Sequence, residues 1–320
     1  MEDVVSESAD SAAPVPHPLD GWSAERITSA VRQDPKSLGP MSIGRPNAGM
    51  LFNGEQAHAS ELYALVDPRH AFGTRETLVY LERALRKVHQ AYPDSAPLVI
   101  GHISAERGGP LSPHVSHQAG RDVDISFFYR EPKSWYTRAT LQNLDVARTW
   151  AFVRALVTET DVEMILIDHS IQAWLKEYAL GQGEDAAWVE SVFRGSAPST
   201  PPLVRHAPGH ATHIHIRFYN PIAEETGRRA HAALRAAGVI PELTIYAKYR
   251  AKHGDTLKKI SKRFSVSIES IQRANGLKNS RIRENREYRI PLRGRTPLAP
   301  ASARRVPARR LPPSTALSQR

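Results

Sequence analysis

The sequence predicts an α+β fold: a mostly antiparallel sheet with flanking helices, followed by a small βααβ domain. Strand-length apolar runs and amphipathic helical segments follow each other without a regular βαβ repeat. Apolar residues make up 41% of 320 residues, enough for one sizeable core and a second, smaller one. After Pro241 the sequence changes to a short, basic, helix-rich pattern.

Apolar spacing and capping residues predict the individual elements. Leu78, Leu81, Leu85 and Val88 lie at helical spacing, and Asp145 is a suitable N-cap for a second helix. Helices are expected over 76–92, 145–158, 170–179, 184–193 and 223–237, and strands over 98–103, 122–129, 162–167 and 213–218. Residues 21–75 contain many turn formers and little periodicity, and they allow no assignment.

The chain divides into four expected segments. Residues 1–20 are polar and rich in Pro and Ala, which predicts disorder. Residues 21–240 form the large domain, and residues 243–292 form the small one. Residues 293–320 contain seven arginines and no acidic residue, and this Pro/Ala/Arg-rich tail is also expected to be disordered.

Charge and composition exclude several classes of protein. The net charge is +10, and the residues from Glu242 onward contribute 20 basic and 5 acidic side chains, which suits any polyanionic partner. The absence of cysteine excludes thiol catalysis, disulfides and Cys-ligated zinc. No apolar run reaches about 18 residues, so no transmembrane segment is expected. The acidic start, Met1–Ala13, has no recognisable signal peptide.

Two histidine clusters lie on predicted strands or beside them. One spans His114–Asp124 and the other His210–His215. Because strand side chains alternate between faces, His213 and His215 share a face opposite the apolar residues of their strand. Asp122 and Asp124 likewise lie opposite Val123 and Ile125.

These residue types suit a catalytic zinc ion. Such an ion takes about three His or Asp/Glu ligands and keeps one position open. A neighbouring group must then move protons, and a second histidine on the same face could do so. An isolated strand histidine is usually structural, whereas two such clusters favour a metal site and a structural explanation about equally.

The first cluster and the loop before it resemble a known family. The runs Arg107–Pro110, His114–Gly120 and Asp122–Asp124 resemble the penicillin-insensitive murein endopeptidases, within the group of lysostaphin-like and D-Ala-D-Ala metallopeptidases. The family signature of a His, a following Asp and a distant H-x-H corresponds to His117, Asp124 and His213-Ile214-His215. The resemblance covers residues 62–220.

The resemblance implies a role for each matching residue. It implies one catalytic Zn²⁺ held by His117, Asp124 and His215, with Asp122 as a less favoured alternative to Asp124. His114 would either bind the metal or support a ligand.

Three further residues receive roles by the same resemblance. His213 would transfer protons or stabilise the oxyanion, and His210 would assist it. Arg107 would hold a substrate carboxylate, a task that its planar guanidinium suits; local pairing within its loop is the equal alternative.

The segment from Tyr249 to Pro291 resembles a LysM domain. Asp255 is expected to cap one helix and Ser267 a second, which ends at Asn275-Gly276. Asn285 departs from the usual glycine. LysM domains bind glycans that contain N-acetylglucosamine, and the implied contacts are Gly254, Asp255, Thr256, Leu257, Asn275, Gly276 and Leu277.

Together the two resemblances imply a zinc-dependent peptidoglycan endopeptidase. It would cut cross-links of the D-Ala to meso-diaminopimelate type in the periplasm or cell envelope. The alternatives are a D,D- or L,D-carboxypeptidase and a non-catalytic peptidoglycan-binding protein. Nucleic acid is not an expected partner, because the sequence offers no recognition helix or aromatic platform. The basic tail suits anionic envelope polymers.

Overall fold

A computed structural model describes residues 14–197, 200–242, 245–292, 298 and 304–313. Twelve strands and eight α-helices lie within these residues. In chain order they are α1 (Ala24–Gln33), β1 (Met41–Arg45), β2 (Ala48–Phe52), β3 (Glu55–Gln56), β4 (Tyr63–Leu65), β5 (Phe72–Gly73), α2 (Arg75–Ala91), β6 (Leu98–His102), β7 (Asp122–Ile125), α3 (Val146–Glu159), β8 (Val162–Leu166), α4 (His169–Gly181), α5 (Ala186–Arg194), β9 (Val204–Arg205), β10 (Ile214–Phe218), α6 (Pro221–Ala236), β11 (Ile245–Arg250), α7 (Leu257–Phe264), α8 (Ile268–Asn275) and β12 (Glu287–Leu292).

The central sheet has six strands in the order β4-β6-β7-β10-β8-β9. The three inner pairs are antiparallel, and the two outer pairs, β4–β6 and β8–β9, are parallel. The α+β class with a mostly antiparallel sheet is therefore confirmed. Strand β7 ends earlier than expected, at Ile125, and beyond it the Val99 N–H of β6 donates to the Ser126 hydroxyl instead of a backbone carbonyl.

One face of the sheet forms the main core. Val123 and Ile125 of β7 and Ile214 and Ile216 of β10 are fully buried, together with apolar residues of α2, α3, α4 and α5. Each such side chain contributes about 1.5–3 kcal/mol by leaving water. The opposite face of β7 and β10 is then free to carry polar side chains.

A second layer comes from the segment that the sequence left unassigned. Helix α1 is capped by Ser23, whose hydroxyl accepts the Arg26 N–H, and it buries Ile27 and Val31. The β1–β2 hairpin and α1 pack against α6 in a separate apolar cluster. Gly227 allows this packing, since a Cβ there would lie 2.7 Å from the Ser42 carbonyl oxygen.

The C-terminal domain has the expected βααβ order. Strands β11 and β12 pair antiparallel over α7 and α8, around a core of its own. Ser267 caps α8 as predicted, and Gly276 ends it at φ 60°. The prediction for Asp255 is wrong: Thr256 caps α7, while Asp255 accepts hydrogen bonds from the Tyr249 hydroxyl and the Lys252 N–H.

Parts of both expected disordered ends are ordered against the large domain. In the N-terminal segment, the imidazole of His17 is buried and hydrogen-bonds Thr226 of α6. In the tail, residues 304–313 lie along the domain. Arg309 pairs with Asp161 at 2.9 Å, and Arg310 donates to the Ser191 and Pro201 carbonyls. Composition alone predicts disorder here because it does not show these acceptors on the domain surface. Residues 1–13, 293–297, 299–303 and 314–320 of the two predicted disordered ends lie outside the described residues.

Across the described ranges, no helix combines the length and apolar character needed to cross a membrane.

Candidate metal centre

The pairing of β7 with β10 brings the two histidine clusters together. His215 lies opposite Asp124, and Arg217 lies opposite Asp122. The four side chains project from the sheet face opposite the main core. Asp122, Asp124 and His215 are nevertheless buried, because loops cover this face. The polar faces inferred from the sequence therefore form a buried site.

His117 reaches the site from the loop before β7. Its backbone lies in the left-handed region, at φ 65°, a conformation that costs a non-glycine residue about 1–3 kcal/mol. Two contacts hold it: its N–H donates to Asp122 Oδ2 at 3.0 Å, and Nδ1 lies 2.9 Å from the Ile103 carbonyl oxygen. Backbone strain that is held in this way is typical of functional sites.

Three side-chain atoms of the kind that bind metal ions converge on one point. His117 Nε2 lies 3.2 Å from Asp124 Oδ1 and 3.2 Å from His215 Nδ1, and His215 Nδ1 lies 2.8 Å from Asp124 Oδ1. Ligands bound tetrahedrally at 2.0–2.1 Å would be about 3.3 Å apart. The triangle therefore has the size that a small divalent cation with N and O ligands requires.

Hydrogen-bond accounting also favours a cation at this point. Because a carbonyl oxygen only accepts, His117 Nδ1 must carry the proton, and Nε2 then presents a lone pair to the Asp124 carboxylate. His215 Nε2 lies 3.3 Å from Asp122 Oδ1, an ion-pair distance without hydrogen-bond alignment. A neutral His215 protonated on Nε2 likewise turns a lone pair on Nδ1 toward Asp124. Facing acceptors require a proton or a metal ion between them.

The buried carboxylates and imidazoles of this cluster shift one another's pKa. Burial would lower the pKa of His215, but the Asp122 and Asp124 carboxylates raise it to about 9. Burial would raise the pKa of Asp124, but the His117 and His215 imidazoles outweigh it and hold that pKa well below the ordinary value. A metal ion must displace the proton to bind, so its affinity rises with pH.

Asp122 lies behind the converging atoms. Its carboxylate accepts from the His117 N–H and, at 2.6 Å, from Arg217 Nε, and it faces His215 Nε2. Both oxygens of Asp122 therefore contact groups of His117, Arg217 and His215, and these contacts orient the two histidines. The geometry thus favours Asp124 over Asp122 as the ligand and gives Asp122 a positioning task.

His114 lies at the edge of the site with a partner that sequence reasoning missed. Its Nδ1 lies 3.4 Å from Asp124 Oδ2, and its Nε2 lies 2.8 Å from Nδ1 of His102 on β6. His114, His117 and Asp124 offer ligand atoms that all lie within 4.8 Å of one another. His114 can therefore serve as a further ligand, with His102 fixing its ring.

His213 and His210 lie on the other side of Asp124. His213 Nε2 is 3.6 Å from Asp124 Oδ2, and its ring stacks on Tyr136 with centroids 4.9 Å apart. Burial lowers the pKa of His213 to about 4, so it is neutral at pH 7 and able to accept a proton. The His210 ring lies 4.9 Å from that of His213.

This constellation coincides with a family match over most of the chain. The sequence profile described as penicillin-insensitive murein endopeptidase matches residues 42–264.

The chain belongs to the penicillin-insensitive murein endopeptidase family.

Similar proteins carry the same family name. A penicillin-insensitive murein endopeptidase of Yersinia pestis bv. Antiqua is 25% identical over 215 residues, which cover 62% of this chain and 70% of the relative. One of Escherichia coli O1:K1 / APEC is 26% identical over 215 residues, with 62% and 71% covered. A LysM domain profile matches residues 249–291, which confirms the second resemblance.

Arg107, which was predicted to hold a substrate carboxylate, lines a surface cavity. Its carbonyl oxygen accepts the Leu51 N–H, and its side chain lines a surface cavity with Asn53 and Pro241. Among the described contacts, none joins its guanidinium to the histidine cluster. The role in holding a substrate carboxylate therefore has no support from this geometry.

The LysM residues expected to contact glycan have structural partners. Thr256 and Gly276 cap helices, and the Asn275 amide bridges to the backbone of Arg289 on β12. These bonds fix the loops on which the glycan-contact prediction rests, and that prediction stays untested.

Two residues near the ligands were missed by sequence reasoning. His102 ends a short apolar strand, and a polar residue with metal-ligand chemistry in that place could have been noted. Tyr136 lies in a loop, and nothing in the sequence distinguishes it from the other tyrosines. Its hydroxyl accepts the Gly101 N–H at 2.9 Å, which places its ring beside His213.

Proposed function

We propose that the chain is a zinc-dependent peptidoglycan endopeptidase that hydrolyses D-Ala to meso-diaminopimelate cross-links. The observation that carries the proposal is the convergence of His117, Asp124 and His215 within a member of this family. The LysM module would bind N-acetylglucosamine-containing strands and raise the local enzyme concentration on an insoluble polymer. Its place of action would be the periplasm or envelope, where that substrate lies.

The ligand set fits one zinc ion. His117, Asp124 and His215 would hold it, with His114 as a possible fourth contact. When bound, zinc lowers the pKa of water and polarises a carbonyl group. The Ile103 carbonyl oxygen fixes the tautomer of His117, and the negative charge of the buried Asp122 favours a proton on the nearby His215 Nε2.

His213, assisted by His210, would carry out the proton transfers. His213 is neutral and packed against Tyr136, so it can take a proton at Nε2 and pass it to the leaving amine. His210 lies close enough to assist it. A protonated His213 would also stabilise negative charge on the tetrahedral oxygen.

The test is digestion of cross-linked peptidoglycan with and without a chelator, followed by mass spectrometry of the muropeptides. We expect conversion of dimers to monomers. Chelation, His215→Ala or Asp124→Asn should reduce the rate by more than about a hundredfold, beyond the effect of losing an outer partner. Zinc should restore only the chelated wild type. His58→Ala, which removes an exposed histidine outside the site, is the control.

Two other results would replace the proposal. Loss of terminal D-alanine from intact dimers would identify a carboxypeptidase with the same chemistry. A zinc-loaded protein that sediments with the wall but changes no muropeptide would be a binding protein.

A further inference from the structure

Trp135 is the exposed tryptophan of this chain. All five tryptophans lie within the described residues; Trp150 and Trp188 are buried, and Trp22 and Trp174 are partly buried, whereas Trp135 is 48% exposed. An exposed indole beside a polar site is a candidate for ligand contact, because its apolar face can pack against a bound molecule.

The Trp135 ring belongs to a stack that leads to the metal centre. It stacks on Tyr136 with centroids 4.8 Å apart and planes inclined by 23°. Tyr136 in turn stacks on His213 at 4.9 Å and 14°. Trp135 therefore lies two ring contacts from the histidine that faces Asp124.

The loop that carries Trp135 is held firmly in place. The Tyr129 hydroxyl donates to the Thr137 carbonyl and lies 3.3 Å from the Thr212 carbonyl oxygen, and the Ala139 N–H donates to Ala211 at 2.8 Å. The loop is thus tied to the segment just before His213. A fixed aromatic surface binds a ligand without the entropic cost of ordering a side chain.

We propose that the exposed face of Trp135 is a platform for a sugar ring of the glycan strand that carries the cut stem peptide. The inference rests on the proposed function. The C–H groups of a pyranose face carry partial positive charge and pack on the negative face of an indole. Stem peptides of alanine and diaminopimelate offer small or charged side chains, and neither covers an indole face.

The experiment compares two soluble substrates of the full chain. One is a cross-linked muropeptide dimer with its disaccharides, and the other is the same dimer with the sugars removed. We expect Trp135→Ala to lower kcat/KM on the glycan-linked dimer about five- to tenfold more than on the sugar-free dimer. Any preference due to the LysM module is shared by wild type and variant and cancels in this ratio.

Leu141→Ala is the matched control. Leu141 lies in the same loop region and is 50% exposed, but it is outside the ring stack. This variant should leave the activity on both dimers unchanged. An equal loss on both dimers in Trp135→Ala would assign Trp135 to support of Tyr136 and His213, and no loss on either would remove it from the substrate path. Either result would contradict the proposal that Trp135 binds a sugar ring.

A fluorescence measurement separates this inference from the proposed function. The difference in tryptophan emission between wild type and Trp135→Phe should change when the glycan-linked dimer is added, and not with the sugar-free dimer. If the wild type cleaves neither dimer, the endopeptidase proposal fails. The emission difference alone then tests whether Trp135 binds a sugar ring.

Discussion

His117 shows how single residues build the site. Its backbone is held at positive φ by Asp122, and its ring tautomer is set by the Ile103 carbonyl oxygen. Both contacts act on a loop residue whose Nε2 lies 3.2 Å from Asp124 Oδ1. The backbone and the ring of His117 are therefore each held by a hydrogen bond, which suits the proposed role as a metal ligand.

Tyr136 is expected to position His213 through ring stacking. Tyr136→Phe keeps the ring and loses only the hydrogen bond to the Gly101 N–H. Tyr136→Ala removes the stack. We expect kcat on sugar-free dimers to fall about tenfold or more in the alanine variant and only a few-fold in the phenylalanine variant. Zinc content, measured by elemental analysis, should stay the same in both, and loss of zinc would instead indicate a general collapse of the site.

Glu76 makes stability depend on pH. Burial raises its pKa to about 7, although the Ile222 and Ala223 N–H groups donate to it. The unfolded value is about 4.3, so between these pH values the folded state holds a proton that the unfolded chain has lost. The contribution of Glu76 to stability therefore falls as pH rises through this window.

Glu76→Gln removes this titration. Relative to the variant, the wild type should lose about 2–3 kcal/mol of unfolding free energy between pH 5 and pH 8. Urea denaturation at both pH values measures the difference. Glu61→Gln removes a charge from a side chain that is 71% exposed and serves as the control. A constant difference between wild type and Glu76→Gln would contradict the assignment.

The residues proposed as ligands were more predictable from the sequence than the residues that support them. Strand alternation alone places Asp124 and His215 on polar faces, and the family pattern adds His117. The register that sets Asp124 opposite His215 is a property of the assembled sheet. Tyr136 approaches His213 only because the loop after β7 folds back onto the sheet. No local sequence pattern predicts this fold of the loop.

At the scale of elements, helices with a clear apolar stripe were predicted to within a few residues. Helix α2 was expected over 76–92 and spans Arg75–Ala91. Helix α1 was missed because only Ile27 and Val31 are buried, and two apolar residues do not define a period. Its stability comes from packing on α6, which is a contact distant in sequence.

Gly227 tests the packing of α6 on β1. A Cβ there would lie 2.7 Å from Ser42 O and 2.9 Å from Ile43 Cγ1. Gly227→Ala should lower the unfolding free energy by about 1–3 kcal/mol through overpacking, despite the higher helix propensity of alanine. Chemical denaturation measures the change.

Gly181→Ala is the matched control in α4. A Cβ at this position meets nothing within 4 Å, so the substitution should raise stability by up to about 1 kcal/mol. Opposite signs for the two substitutions would confirm that contact with β1, and not helix propensity, decides the outcome at Gly227.

At the scale of the whole molecule, the chain returns to its large domain after the LysM module. Arg310 donates to the Ser191 and Pro201 carbonyls, and its own carbonyl oxygen accepts the Trp188 indole N–H at 2.7 Å. Arg304 pairs with Asp20. The composition of the tail suggested only attraction to polyanions, whereas the structure shows partners within the same chain.

Removing these contacts should loosen the large domain. Arg309→Ala with Arg310→Ala should cost about 1–2 kcal/mol and lower the thermal midpoint by about 2–6 °C. Arg281→Ala with Arg283→Ala removes the same charge from the exposed surface of the LysM module and should leave the midpoint unchanged. Equal shifts in both double variants would mean that net charge, and not the tail contacts, sets the stability.

The short connection between α6 and β11 also limits how far the LysM module can move from the large domain. Eight residues separate Ala236 from Ile245, and a chain of that length spans at most about 30 Å. If the module binds one glycan strand as proposed, the candidate metal centre would stay above a small area of wall. Cuts should accumulate in patches around each anchoring point, leaving opened mesh next to intact mesh in a partly digested sacculus.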